Sequence, residues 1–364
     1  MTETLYSPLH DRHVALGAKF SEFGGWLMPL QYSGVVAEHR AVRSAVGIFD
    51  VSHLGKLRIV GEGALDFVNR CITNDLHRIA PGQAQYTLLC NETGGVIDDL
   101  ISYLISADEV FLIPNASNTT TVGELLAAAA PAGIQVINEH RDHAVLAVQG
   151  TSSDETLSAL GLPFDLEYLS FTPATWNGVD LIVCRTGYTG EKGYELVVPA
   201  AAAAGLWDAV LAAGAEYDIL PCGLGARDTL RTEMGYPLHG HDLSPEISPV
   251  MAGLGWAVGW DKDEFWGAAA LREQRQAKSG PLLRGLKAAG RGIPRPGMAV
   301  QVDGEGVGTI TSGTFSPTLA TGIALALLDR SVTLGQRVDV VVRDRLEPFV
   351  VVKPPFVEPG VREA

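Results

Sequence analysis

Hydrophobic positions recur with a helical period in five segments, at residues 35–45, 63–71, 122–130, 200–213 and 226–234, and each predicts a helix with one apolar face. Between them lie shorter runs rich in Val, Ile, Leu and Tyr, at 56–60, 96–105, 110–114, 144–148, 180–184 and 194–198, which read as strands near turn signals. The mixture predicts an α+β fold. The Ala-rich pieces at 127–130 and 200–204 fit helix, because Ala is the best helix former and Trp207, Val210 and Leu211 supply an apolar stripe.

Beyond about residue 280 the pattern changes. Helical signals vanish, and runs at 307–311, 323–328, 338–342 and 349–352 follow at short intervals among Gly, Val and Thr. That is an all-β unit, a small barrel or a jelly-roll-like sandwich. The charged, Gln-bearing segment 271–280 is expected to be a linker. A chain of 364 residues exceeds one ordinary core, so two or three units sharing a cleft are expected.

With 46% hydrophobic and 19% charged residues the composition is that of a folded protein. Lys and Arg number 27 against 42 Asp and Glu, a net charge of −15 that repels phosphate backbones and argues against nucleic acid as a partner. The first twenty residues carry Glu3, Asp11, Arg12 and Lys19 and no apolar core, so no secretory signal is expected. The most apolar stretch, 322–328, falls well short of the roughly 20 residues of a membrane span. A soluble, cytoplasmic protein with no membrane partner is the expectation. Cys71, Cys90, Cys184 and Cys222 lie far apart with apolar flanks, as reduced core thiols would.

Three segments hold candidate chemistry. In the first, Gly94-Gly95 marks a turn and an extended run follows, so Asp99 shares a face with Ile97, Ile101 and Tyr103 while Asp98 points the other way. A carboxylate on an apolar face is costly unless paired, protonated or used; the alternative is an aspartate capping a turn, which suits Asp98 better. In the second, Arg185 to Glu195, three glycines make a tight loop where backbone can approach a ligand, and a strand from Tyr194 would hold Glu195; a hairpin loop without function is the alternative. In the third, Gly223-Leu224-Gly225-Ala226-Arg227-Asp228 resembles part of a dinucleotide fingerprint, but Asp228 stands where Gly or Ala is needed, and no nucleotide site is expected. Arg227 in a first helical turn could still reach a carboxylate or carbonyl oxygen, or sit in a plain salt bridge. His239-Gly240-His241-Asp242 supplies at most half a metal site, and no metal is expected.

Taken together, these segments and several others resemble one family over nearly the whole chain. They include Ser7-Pro8-Leu9-His10, Gly24 to Tyr32, Gly47 to His53, Ile72-Thr73-Asn74-Asp75, Gly308 to Gly313 and Lys353-Pro354-Pro355-Phe356. Their order and spacing resemble the glycine cleavage T-protein family. The resemblance implies a three-domain cloverleaf of mixed α/β lobes and a C-terminal barrel around a central folate cavity. It divides the chain into a discontinuous lobe (1–52 plus 141–270), an inserted lobe carrying Asp99 (53–140), the linker (271–280) and the β domain (281–364). The implied activity is transfer of a one-carbon unit from the lipoylated H-protein to tetrahydrofolate, a co-substrate. Asp99 matches the family's key acidic residue. Glu195 and Arg227 match its folate-binding pair, while Tyr188, Tyr86, Asn115 and Arg295 match further ligand contacts.

The sequence departs from the family pattern at Leu54, where Met is usual, and at Gly360-Val361-Arg362, where some members carry a ligand-touching Tyr. Related readings are the folate lobe of a dimethylglycine or sarcosine oxidase, which carries a flavin domain absent here, and an iron–sulfur assembly factor whose loop cysteine is missing from Tyr188-Thr189-Gly190-Glu191. A catalytically silent folate-binding protein is opposed only by Asp99.

Overall fold

The computed structural model describes residues 4–343 and 345–361; Glu3 and Arg362 lie outside the described residues. Its centre is a six-stranded sheet in the order Phe171–Trp176, Val179–Cys184, Gly193–Pro199, His143–Gln149, Gly47–Asp50 and Leu220–Cys222. The inner strands are mostly apolar on both faces, Glu195 being an exception, and are covered on both, as near-continuous hydrophobic runs require. Leu146, Val148, Leu196 and Val198 pack under Leu206, Trp207 and Val210 of the helix Ala203–Ala213. Val145, Ala147 and Val197 face the other way, toward Tyr103, Phe111 and the helix Leu224–Met234.

Tyr103 and Phe111 come from a second, five-stranded sheet, ordered Ala84–Cys90, Val96–Ser106, Glu109–Ile113, Leu57–Val60 and Gln135–Asn138. Its far face buries Leu57, Ile59, Leu104 and Leu112 beneath the helices Ala64–Cys71 and Thr119–Ala129. A small sheet, Leu5–Tyr6, Trp26–Gln31 and Lys19–Phe23, completes the N-terminal part.

The C-terminal strands close into a six-stranded antiparallel barrel, Leu282–Ala288, Thr321–Leu328, Glu305–Ser316, Ala299–Val302, Arg337–Val342 and Arg345–Val352, whose last strand pairs back with the first. Of the two all-β architectures open to the sequence, the barrel is the one adopted. Its interior holds Leu286, Val300, Ala324, Ala326, Val338 and Phe349.

The expected linker 271–280 is corrected in character. Most of it is the C-terminal part of the helix Ala268–Ala277, and Leu271 is fully buried against Leu88, Cys90 and Val96. The Arg, Glu and Gln residues that made it look like a connection are the solvent face of an amphipathic helix. All four cysteines are free and buried. Among the described residues no helix is long and apolar enough to cross a membrane.

The helix Leu224–Met234 joins the barrel to the rest. Arg231 donates to Asp242 Oδ2 at 2.9 Å and to Ser312 Oγ at 3.0 Å, tying the helix to the barrel strand Glu305–Ser316. Two residues on, Glu233 accepts from Ser316 Oγ at 2.5 Å, from Thr318 Oγ1 at 3.0 Å and from Arg43 Nη2 at 2.9 Å. Charged groups this deeply buried are tolerable only when paired and hydrogen-bonded, and these are.

Candidate functional site

Asp99 is placed by the turn that precedes its strand. Asn91 Oδ1 accepts from the backbone N–H groups of Thr93 and Gly95 at 3.0 and 2.9 Å, and Gly94 adopts φ +83°, which an L side chain resists. At Gly95 a Cβ would stand 1.7 Å from the Pro245 carbonyl oxygen, so only glycine lets residues 244–247 close over the strand entry and accept from Val96 N.

The Asp99 carboxylate is nearly buried at 9% exposure. Oδ2 accepts from the Tyr86 hydroxyl at 2.8 Å, and Oδ1 accepts from Asn115 Nδ2 at 3.0 Å. Burial raises its proton affinity above the usual carboxylate range, while Tyr86, His239 and Asn115 favour the ionised form. Ile101 and Tyr103 share its cavity face, as alternation requires. Ile97 does not line the cavity and packs instead against the core that holds Leu100 and Leu104. The pairing with Ala84–Cys90 shifts register between Leu89 and Cys90, and such a bulge reverses the faces.

Asp98 is a second correction. It is off the cavity wall, but it is no turn cap at the strand entry: it is 0% exposed, and it converges with Asp99 on the Asn115 side-chain amide. Its Oδ2 accepts from Asn115 N at 3.0 Å, and its Oδ1 accepts from Asn115 Nδ2 at 2.9 Å and from Asn118 Nδ2 at 2.7 Å. Burial and the adjacent Asp99 push its carboxyl up to about 8. Of the two neighbours only Asp99 lines the cavity, while Asp98 is covered by Asn115 and Asn118.

Glu195 lies in the interior strand Gly193–Pro199 between Ala147 and Cys184 on its two neighbours. Its Oε2 accepts from Thr186 Oγ1 at 2.5 Å, and Thr186 in turn lies 3.2 Å from the Tyr103 hydroxyl. The glycine-rich loop between Thr186 and Gly193 is anchored by Gln149, which donates to Thr186 O at 3.2 Å and accepts from Thr189 Oγ1 at 2.8 Å. Tyr188 donates to Pro237 O and lies under the Arg227 guanidinium, whose carbon is 4.5 Å from the ring centroid. Arg227 sits in the first turn of its helix, where Arg227 N bonds Gly223 O at 3.1 Å. Burial lowers its proton affinity and the nearby Glu195 charge counters this. Asp228, next in sequence, turns away to pair with Arg231 at 2.6 Å.

One cavity of about 730 Å³ takes its walls from both large sheets and the barrel, and it is lined by Tyr86, Asp99, Asn115, Tyr188, Glu195 and Arg227. Arg295, expected with them, does not line it: the side chain is exposed and Nη1 donates to Gly313 O at 3.2 Å on the barrel. Three other lining residues escaped the sequence reading. Trp256, 65% exposed, stacks on Tyr86 with ring centroids 5.4 Å apart. Arg284 brings a cation from the barrel, its Nε buried without a hydrogen-bond partner among the described residues. His53 has its proton affinity lowered to about 3 by burial and by Arg227. Only His53 had a sequence signal, lying inside Gly47 to His53; the others depend on tertiary proximity. In the 239–242 segment, Asp242 is taken by Arg231, Leu238 N and the barrel hydroxyls, and His239 bonds Asn118 Nδ2 at 3.0 Å and Val96 O at 3.1 Å.

Comparison with known proteins covers almost the whole chain. Residues 9–262 match the GCVT N-terminal domain and residues 282–358 the glycine cleavage T-protein C-terminal barrel domain. An aminomethyltransferase of Parafrankia sp. (strain EAN1pec) is 60% identical over 365 residues, with 100% of each chain covered. One from Mycobacterium tuberculosis (strain ATCC 25618 / H37Rv) is 58% identical over 357 residues, covering 98% of this chain and 97% of that one. The crystal structure of the glycine cleavage system aminomethyltransferase T from Bartonella henselae superposes with a TM-score of 0.93 at 33% identity, covering 98% of this chain and 99% of that one. The cavity thus stands in a scaffold shared along its full length with these proteins, and the chain belongs to the glycine cleavage T-protein family.

Proposed function

We propose that this protein is the aminomethyltransferase of a glycine cleavage system, working in the cytoplasm. It takes the aminomethyl group from the dihydrolipoyl arm of the H-protein and transfers the carbon to tetrahydrofolate, releasing ammonia and forming 5,10-methylenetetrahydrofolate. The observation that carries this reading is the joint presence, in one cavity, of a nearly buried carboxylate at Asp99 and the pair Glu195 and Arg227. Of the three units proposed, 53–140 includes Tyr86, Asp99 and Asn115, the discontinuous 1–52 plus 141–270 includes Tyr188, Glu195 and Arg227, and 281–364 includes Arg284, all lining the cavity.

The chemistry suits these groups. As the carbon–sulfur bond breaks, positive character develops on the aminomethyl carbon, and N5 of the folate forms the new bond to it. Closure onto N10 then expels the amine as ammonia, and the two folate N–H protons pass to the departing sulfur and nitrogen. A fixed Asp99 carboxylate stabilises the cationic carbon and accepts or passes a proton at Oδ1 or Oδ2. Glu195 offers a carboxylate edge to the amino and N3 hydrogens of the pteridine, and Arg227 offers a planar donor fork to its carbonyl or to the carboxylates of the glutamyl tail. Tyr188 holds Arg227 from beneath through its ring.

The test is to supply aminomethylated H-protein and tetrahydrofolate and to measure ammonia and 5,10-methylenetetrahydrofolate together. Equimolar, tetrahydrofolate-dependent release is expected. Folate binding without either product would leave a silent folate-binding protein and overturn the reading.

A further inference from the structure

Asp98 and Asp99 are consecutive, both essentially buried, and tied to one amide. Asn115 Nδ2 lies 2.9 Å from Asp98 Oδ1, 3.0 Å from Asp99 Oδ1 and 2.9 Å from the Asp99 carbonyl oxygen. An amide nitrogen has two hydrogens, so at least one is shared among these three acceptors, and the carboxylates compete for it. What orients Asn115 is Asp98, which also receives the Asn115 backbone N–H at 3.0 Å. Behind Asp98 the chain continues outward. Asn118 Nδ2 donates to Asp98 Oδ1 at 2.7 Å and lies 3.0 Å from His239 Nδ1, while His239 Nε2 lies 3.1 Å from Val96 O. The carbonyl oxygen only accepts, so Nε2 carries the hydrogen and Nδ1 accepts from Asn118.

We propose that Asp98 is the positioning residue for Asp99: through the shared Asn115 amide it fixes the carboxylate that faces the reacting carbon, and Asn118 and His239 hold Asp98 in turn. The inference rests on the aminomethyltransferase reading and goes beyond it, since Asp98 does not line the cavity and touches no ligand itself. A purely structural buried acid would be replaceable by an uncharged group that keeps the hydrogen bonds. Here both Asp98 oxygens accept, from Asn115 N, Asn115 Nδ2 and Asn118 Nδ2, and an amide has only one accepting oxygen, so Asp98→Asn loosens the hold on Asn115. The other titratable groups facing Asp99 are Tyr86 on its neighbouring strand, Tyr188 from the glycine-rich loop and His239.

The experiment compares wild type with Asp98→Asn and Asn118→Ala in steady-state assays from pH 5 to 9, with melting temperature measured in parallel. For Asp98→Asn, kcat is expected to fall roughly 10- to 100-fold, the size of effect that a misplaced reacting group produces, with the KM for tetrahydrofolate nearly unchanged. Asn118→Ala removes one donor from Asp98 and leaves both carboxyls in place, so it should lower kcat in the same direction by less; it also serves if Asp98→Asn does not fold. A lowered melting temperature with kcat unchanged in the folded variants would make Asp98 a structural acid only and overturn the proposal. Wild type that makes no tetrahydrofolate-dependent product would instead sink the underlying functional reading.

Discussion

The hydroxyl of Tyr86 donates to Asp99 Oδ2 across 2.8 Å, and on its other face the Tyr86 ring stacks on Trp256. The hydrogen bond favours the ionised carboxylate against a burial that opposes it. Tyr86→Phe should therefore move the acid limb of kcat to higher pH. A pH–rate profile of folded Tyr86→Phe checks the sign, and an unmoved limb would remove Tyr86 from the ionisation of Asp99.

Asp99→Asn keeps the shape of the side chain but removes its charge and its capacity to take a proton. General acid–base roles are worth about 100- to 10,000-fold, and a kcat loss of that size is expected with folding intact. Single-turnover measurement with saturating tetrahydrofolate separates this from a binding defect; a loss of less than about fivefold would exclude Asp99 as the catalytic carboxylate.

Glu195→Ala and Arg227→Ala should act through binding, because both groups would contact the folate in ground and transition states alike. The expected signature is a raised KM for tetrahydrofolate with a smaller change in kcat. Titration calorimetry with 5-formyltetrahydrofolate gives the independent check, and affinity as strong as wild type in both variants would contradict the assignment.

Glu233 gives the fold an acid sensitivity of defined sign. Burial raises its proton affinity, but His39, Ser316 and Arg43 outweigh that and hold the carboxyl down to about 2. A depressed acid stabilises the fold above its unfolded value near 4.5, and the contribution is lost as pH falls toward 2. Denaturant midpoints measured between pH 5 and 2 should fall more steeply for wild type than for Glu233→Gln, and equal slopes would show that Glu233 does not titrate in this window.

The elements that proved legible in the sequence are those with a strong local pattern. The helices at 35–45 and 63–71 appear as Val35–Ser44 and Ala64–Cys71, and the strand at 96–105 as Val96–Ser106, because apolar period and turn residues agree there. The helix Ala268–Ala277 was obscured because its charged face outweighs its few buried positions, Ala268 and Leu271. At the site, six residues implied by the family resemblance share one cavity, whereas Arg295 lies on the outer barrel surface. The burial of Asp98 depends on Asn115 and Asn118, some twenty residues away, folding over a face that a strand pattern alone leaves open. Trp256 and Arg284 reach the cavity from segments with no chemical motif, so only the packing of distant pieces assigns them to it.

The helix Leu224–Met234 serves two masters, with Arg227 at one end on the cavity and Arg231 and Glu233 at the other in the barrel seat. The two segments that match family domains, 9–262 and 282–358, therefore do not form interchangeable modules despite the gap between their boundaries. Cutting the chain at that gap would strip a buried arginine and a buried glutamate of their barrel hydroxyls on the same helix that carries a ligand group. A graft of the barrel from a relative has to bring matching hydroxyls at Ser312, Ser316 and Thr318, or the chimera inherits a disturbed cavity along with a loose barrel.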